Sequence, residues 1–139
     1  MRKQLMFVFA ALILASGSIY AQSATLKAHI PFDFVVENTV LPAGTYSVTP
    51  MGAGGAAIRL RSTALKNDIF IMPSSSAVDR AEHESELLFQ FSGGQYSLWQ
   101  IWTQNYSEGR EFLVKSHDSQ VPNVAPSSVI VIKAATVLP

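Results

Sequence analysis

The sequence predicts an all-β domain, an antiparallel sandwich or small barrel of about eight short strands. Apolar and polar residues alternate at period two in short runs, clusters rich in Gly, Pro, Asn and Asp separate those runs, and beyond residue 24 no apolar pattern is sustained at helical period. An outer-membrane barrel fits less well, because most of the runs fall short of the roughly 9 to 11 residues that a membrane-crossing strand needs.

The chain opens with Arg2 and Lys3, continues through an apolar run from Leu5 to Ala15, and then turns small and polar from Ser16 to Ala24. That is the three-part layout of a signal peptide. A membrane anchor needs about 20 predominantly apolar residues, and Ser16, Gly17 and Ser18 break this run too early. Cleavage is expected after Ala21, or alternatively after Ser23, so residues 1–21 form the signal and 22–139 a single domain. The mature chain is then secreted or periplasmic and keeps no membrane span.

From Leu26 to Val36 every even-numbered residue is apolar (Leu26, Ala28, Ile30, Phe32, Phe34, Val36), which predicts one half-buried strand. Pro31 lacks an N–H, so this strand runs along a sheet edge or bends there. Leu41-Pro42-Ala43-Gly44 is a turn, after which Thr45 to Thr49 points Tyr46 and Val48 inward. Gly52-Ala53-Gly54-Gly55 leads into Ala57 to Ser62, where Ile58 and Leu60 oppose Arg59 and Arg61 in a hairpin partner. Lys66-Asn67-Asp68 turns the chain into Ile69 to Met72, apolar on both faces.

Pro73 to Ser85 reads as a polar loop, with a short helix over 78–85 as an alternative. The clearest hairpin follows: Glu86 to Phe91, a Gly93-Gly94 turn, and Gln95 to Thr103. Leu87, Phe89 and Phe91 share a face, while in the partner strand Tyr96, Leu98 and Trp102 oppose Trp99 and Ile101. Glu111 to Lys115 and Ser128 to Ala135 complete the set. The run Val129-Ile130-Val131-Ile132 carries no charge until Lys133 and reads as a central strand, with an edge open to strand addition as the rarer alternative.

The chain has no cysteine, so disulfides and thiolate metal sites are excluded and the core alone must hold the fold. Ten basic residues less Arg2 and Lys3 leave eight against ten acidic ones, a nearly neutral mature protein without the basic stripe that nucleic acid or anionic lipid demands.

Two blocks resemble a pattern found in small exported bacterial proteins to which no activity is assigned. The first is Ile30-Pro31-Phe32-Asp33-Phe34 followed by Leu41-Pro42-Ala43-Gly44-Thr45-Tyr46; the second is Leu88-Phe89, Tyr96-Ser97-Leu98, Ile101-Trp102 and Gly109-Arg110-Glu111. They span most of the mature chain, from about Ala24 to Lys115. Where similar proteins carry Leu-Pro-Lys after the Arg-Glu pair, this chain has Phe112-Leu113-Val114-Lys115. The resemblance implies a β-rich exported domain and brings no cofactor or catalytic residue.

No residue set marks an enzyme. Glu82-His83-Glu84-Ser85-Glu86, with Asp79 nearby, is the best metal candidate, but neither strand nor helix geometry gathers it into a compact ligand set, and it reads as a solvated acidic loop. The glycines at 52, 54 and 55 precede a strand rather than the helix that a phosphate cradle needs. His29 lies on a polar strand face, His83 and His117 lie in loops, and no glycine-flanked serine elbow is present. Arg110 and Glu111 fit a structural role, the arginine holding a loop through a carboxylate or carbonyls.

Catalytic, cofactor-binding and metal-binding residues are therefore expected to be absent. The remaining candidates for ligand or partner contact are aromatic: Tyr96, Trp99, Trp102 and Tyr106. Trp99 and Trp102 lie three apart and face opposite sides of a strand, so one is outward unless a second layer covers it, as strands apolar on both faces usually are. The expected function is a non-catalytic binding or interaction module whose partner is an envelope protein or carbohydrate. The alternatives are a structural component that self-associates through sheet edges and, third, an enzyme acting on envelope polymers.

Overall fold

The computed structural model describes residues 24–78, 84–104, 108–114 and 128–137. The proposed signal segment lies outside them, as does most of the stretch 78–85 weighed as a helix; Val78 itself belongs to a strand.

Two sheets pack face to face as an all-β sandwich and do not close into a barrel. The strands are β1 (Thr25–Ile30), β2 (Phe34–Val36), β3 (Thr39–Leu41), β4 (Gly44–Met51), β5 (Ala57–Ser62), β6 (Asp68–Ile71), β7 (Ser75–Val78), β8 (Glu86–Ser92), β9 (Gln95–Trp102), β10 (Glu108–Glu111), β11 (Ser128–Lys133) and β12 (Ala135–Val137). The first sheet runs β12-β1-β4-β5-β6, and the second runs β11-β8-β9-β10-β7, with β2 parallel to β9 and β3 outside β2.

The described strands exceed the expected number partly because the chain changes sheets in mid-run. The stretch Leu26 to Val36 is two strands, not one: the chain leaves the first sheet after Ile30 and enters the second at Phe34. Pro31 supplies no ladder donor at that bend. The even-numbered faces nevertheless stay inward through the corner, with Leu26, Ala28, Ile30, Phe34 and Val36 all buried. Asp33 fixes the exit by accepting the Ala43 N–H at 2.8 Å, which ties the corner to the Leu-Pro-Ala-Gly turn.

Two further sheet changes occur at the sides of the sandwich. Ala134, whose N–H donates to the Ser85 carbonyl at 2.8 Å, separates β11 in the second sheet from β12 in the first. On the other side β6 passes to β7 through residues 72–74, where the Ser74 N–H donates to the Glu111 carbonyl at 2.8 Å. β7 corrects the expected loop of 73–85 at Ser75–Val78, while 79–83 lie outside the described residues, and β3 was likewise hidden in turn-like sequence.

The core lies between the sheets and is aromatic at its centre. The Phe89 ring meets Phe32 and Phe34 edge-on, at centroid distances of 5.2 and 5.3 Å, and Phe34 meets Tyr46 edge-on at 5.3 Å. Leu26, Ile30, Ile58, Leu60, Ile71, Leu87, Leu98 and Phe112 fill the remaining volume.

Tyr46 brings the one hydroxyl among the largest fully buried side chains, and it donates to the Pro42 carbonyl at 2.6 Å. Burial raises its pKa above the ordinary 10.0, opposed by a hydrogen bond from Ser62. Because the folded protein holds this proton more tightly than the unfolded chain, the contribution is intact below pH 10.0 and is lost as pH rises through the folded value. The melting temperature should therefore fall as pH rises past 10, and Tyr46→Phe should lessen that fall while costing about 1 kcal/mol at neutral pH for the lost hydrogen bond. An unchanged alkaline slope in the variant would assign the effect to other groups.

Candidate functional site

The aromatic candidates sit on the β8–β9 hairpin, whose geometry departs from simple alternation. Leu88 pairs with Gln100 and Phe89 with Leu98, so Trp99 is an extra residue on β9 with no opposite number. This is a β-bulge, and one inserted residue reverses the facing of everything beyond it. Tyr96 and Leu98 point to the core before the bulge, and Ile101 does so after it. The expected grouping of Tyr96, Leu98 and Trp102 against Trp99 and Ile101 is therefore corrected: Gln100 and Trp102 lie on the outer face.

Trp102 is nonetheless only 2% exposed. Its ring lies over Gly109, so close that a Cβ there would stand 2.6 Å from Cε2, and its Nε1–H donates to Gln100 Oε1 at 3.1 Å. Gln100 in turn donates through Nε2 to Glu111 Oε2 at 3.1 Å. Trp102 is thus a packed, hydrogen-bonded side chain with its indole withdrawn from solvent.

The other candidates do not join it in one platform. Tyr96 is half-buried, stacked on Phe32 at a centroid distance of 3.9 Å and tilted against Phe91 at 4.6 Å, which commits its ring to the interior. Trp99 is half-buried and lies outside the central core, while its carbonyl accepts the Phe112 N–H at 2.8 Å. Tyr106 lies outside the described residues. Iodide should accordingly quench part of the tryptophan emission, and Trp99→Phe should remove the quenchable part. Two equally shielded indoles would contradict this placement.

The residues of the two sequence blocks meet at structural joints. Arg110 crosses from β10 to the turn between β4 and β5, its Nε–H donating to the Gly55 carbonyl at 3.3 Å and its Nη2 group donating to the Gly54 carbonyl. Gly55 has φ +70°, and a Cβ on it would collide with the guanidinium, so both backbone conformation and close approach require glycine. Arg110 therefore clasps one sheet to the other through carbonyls.

Groups capable of acid–base or metal chemistry are dispersed. Among the described residues no cluster of three or more His, Asp or Glu side chains can hold a metal ion. Within the acidic stretch, Glu84 is ion-paired with Lys133, which holds its carboxyl below the usual range and the ammonium above its own; Asp79, Glu82 and His83 lie outside the described residues. His29 Nδ1 lies 3.2 Å from Thr45 Oγ1 on the outer face of the first sheet. Among the described residues no helix is long and apolar enough to cross a membrane.

Among the described residues, one sheet edge has no neighbouring strand. Among the described residues β11 pairs with β8 on one side and ends the second sheet on the other, which corrects the expectation of a central strand. Ile132 packs on the core, whereas Val129 and Val131 point outward and are 43% and 46% exposed. The remaining described edges are shorter: β3 and β12 have three residues each, and β6 and β7 four. The end of β6 is also capped, since the Met72 N–H donates to Glu37 Oε1 at 3.1 Å. Short edge strands and capped donors discourage strand addition, and β11, with six residues and no charge before Lys133, has neither protection among the described residues.

No protein-family model, curated protein or solved structure matches the chain.

Proposed function

We propose that this chain is an exported, non-catalytic interaction module that takes up a partner in extended conformation along the open edge of β11. The supporting observation is the position of that strand: six residues at the end of the second sheet, uncharged through Ile132, with Val129 and Val131 half out in solvent. Strand addition gives affinity through main-chain hydrogen bonds, and the alternating side chains supply selectivity. The partner segment should present apolar side chains to Val129 and Val131 on the outer face. The basic start, apolar run and small-residue stretch of residues 1–24 support export, which places such partners in the cell envelope or beyond.

A second reading, in which Trp99 stacks on a sugar ring or an apolar partner, has that half-exposed indole in its favour. It is the smaller contact, since Tyr96 and Trp102 are already occupied within the fold.

The test is site-specific photocrosslinking in cells that export the protein. A crosslinker at position 131 should yield adducts on a chain whose mass lacks residues 1–21 or 1–23, and one at Ser47, on the outer face of the first sheet, should not. Adducts absent from 131, or equally abundant at both positions, would overturn the edge as the docking surface; an uncut chain held in the inner membrane would overturn export.

A further inference from the structure

The partner best matched to the β11 edge is β11 itself. Resting on the edge-docking reading above, we infer that two copies of this chain pair their β11 strands antiparallel about a two-fold axis at Ile130, joining the two second sheets into one.

The register follows from the side-chain period. Directly opposed residues in a sheet share a face, so a two-fold arrangement can be centred on Ile130 or on Val131 but not between them. Centring on Val131 sets Lys133 of each copy opposite the exposed Val129 of the other, which leaves that valine without an apolar partner. Centring on Ile130 sets Val129 of one copy opposite Val131 of the other on the outer face, and Ser128 opposite Ile132 on the inner face. Every pair formed within 128–132 is then uncharged. The two Lys133 side chains fall at opposite ends of the paired segment, about 20 Å apart at ~3.3 Å per residue. Each keeps its own Glu84 as counter-ion.

Two further observations favour this occupant, one of charge and one of apolar contact. The mature chain carries eight basic and ten acidic residues, so two copies approach with little net repulsion. Val129 and Val131, the exposed apolar side chains of β11, become a four-valine cluster across the dyad, a β-branched cross-strand contact that an extended segment of arbitrary sequence does not reproduce. A single six-residue edge buries far less than the roughly 1,200 to 2,000 Å² of a stable interface, so the dimer is weak and concentration-dependent.

Sedimentation of residues 22–139, which contain every described strand, tests this from micromolar to millimolar concentration. The expected result is a doubling of mass at the upper end for the wild type and its loss in Val131→Lys and in Val129→Lys, with the melting temperature of each dilute variant showing that it is folded. A dimer that persists in both variants would overturn the inference by placing self-association elsewhere. A wild-type chain that stays monomeric throughout, while crosslinking at 131 still captures a different protein, would overturn self-pairing and leave the edge reading standing. Monomer without adducts at 131 would remove both.

Discussion

Trp102→Ala should lower the free energy of unfolding by about 3–5 kcal/mol, the range for truncating a buried aromatic side chain. The side chain is 2% exposed, its ring fills the space over Gly109, and it supplies a donor to Gln100. Truncation opens a cavity and leaves a nearly buried amide oxygen without that partner. Against a total stability of about 5–15 kcal/mol, a loss of this size brings the variant close to its unfolding midpoint if the wild type lies at the lower end. Gly109→Val should damage the same site from the other side, because the added methyls enter the indole and the β9–β10 pair must part; overpacking of this kind costs about 1–3 kcal/mol. Denaturant unfolding of both variants checks this. A Trp102→Ala variant as stable as the wild type would return the indole to the candidates for ligand contact.

Phe89→Ala should be at least as costly, about 3–5 kcal/mol by the same reasoning. Phe89 is fully buried and meets Phe32 and Phe34 edge-on, and these belong to the corner and to β2, where the chain passes between sheets. The substitution therefore loses burial together with two favourable ring contacts, each worth about 0.5–1.5 kcal/mol beyond area. Phe89→Leu, which keeps most of the volume, should recover a large part of the loss. Equal destabilisation by Ala and Leu would mean that the edge-on geometry, rather than the filled space, sets the cost.

Most of the inward-facing set was legible in the sequence because burial follows backbone period wherever the period is unbroken. Leu26, Ala28, Ile30, Phe34 and Val36 keep one parity through a corner that the composition marked only with Pro31. The β8–β9 hairpin was equally plain from its two glycines, both with positive φ. Its bulge was not, because an inserted residue carries no compositional mark and Trp99 is as good a strand former as its neighbours. That single residue moved Trp102 to the outer face, so parity alone misgrouped the aromatic candidates.

β11 was misjudged for a related reason. A run of Val and Ile without charge has the composition of a central strand, and whether it has one neighbour or two is decided by distant parts of the chain. Lys133 was the visible hint, a charge at the end of the run of the sort that protects edges, here paired with Glu84. β7 escaped notice because Ser75 and Ser76 pair with Glu111 and Arg110 through main-chain groups, which need no apolar side chains.

The claim that β11 is an open edge is tested most directly by hydrogen exchange in dilute, monomeric protein. Alternate amides across Ser128–Lys133, those turned away from β8, should exchange nearly as fast as in an unstructured peptide, while the amides of β9, flanked on both sides, stay protected. Protection of every amide in Ser128–Lys133 to the level of β9 in the dilute monomer would show that the chain covers this edge itself, and neither docking nor self-pairing along it would stand.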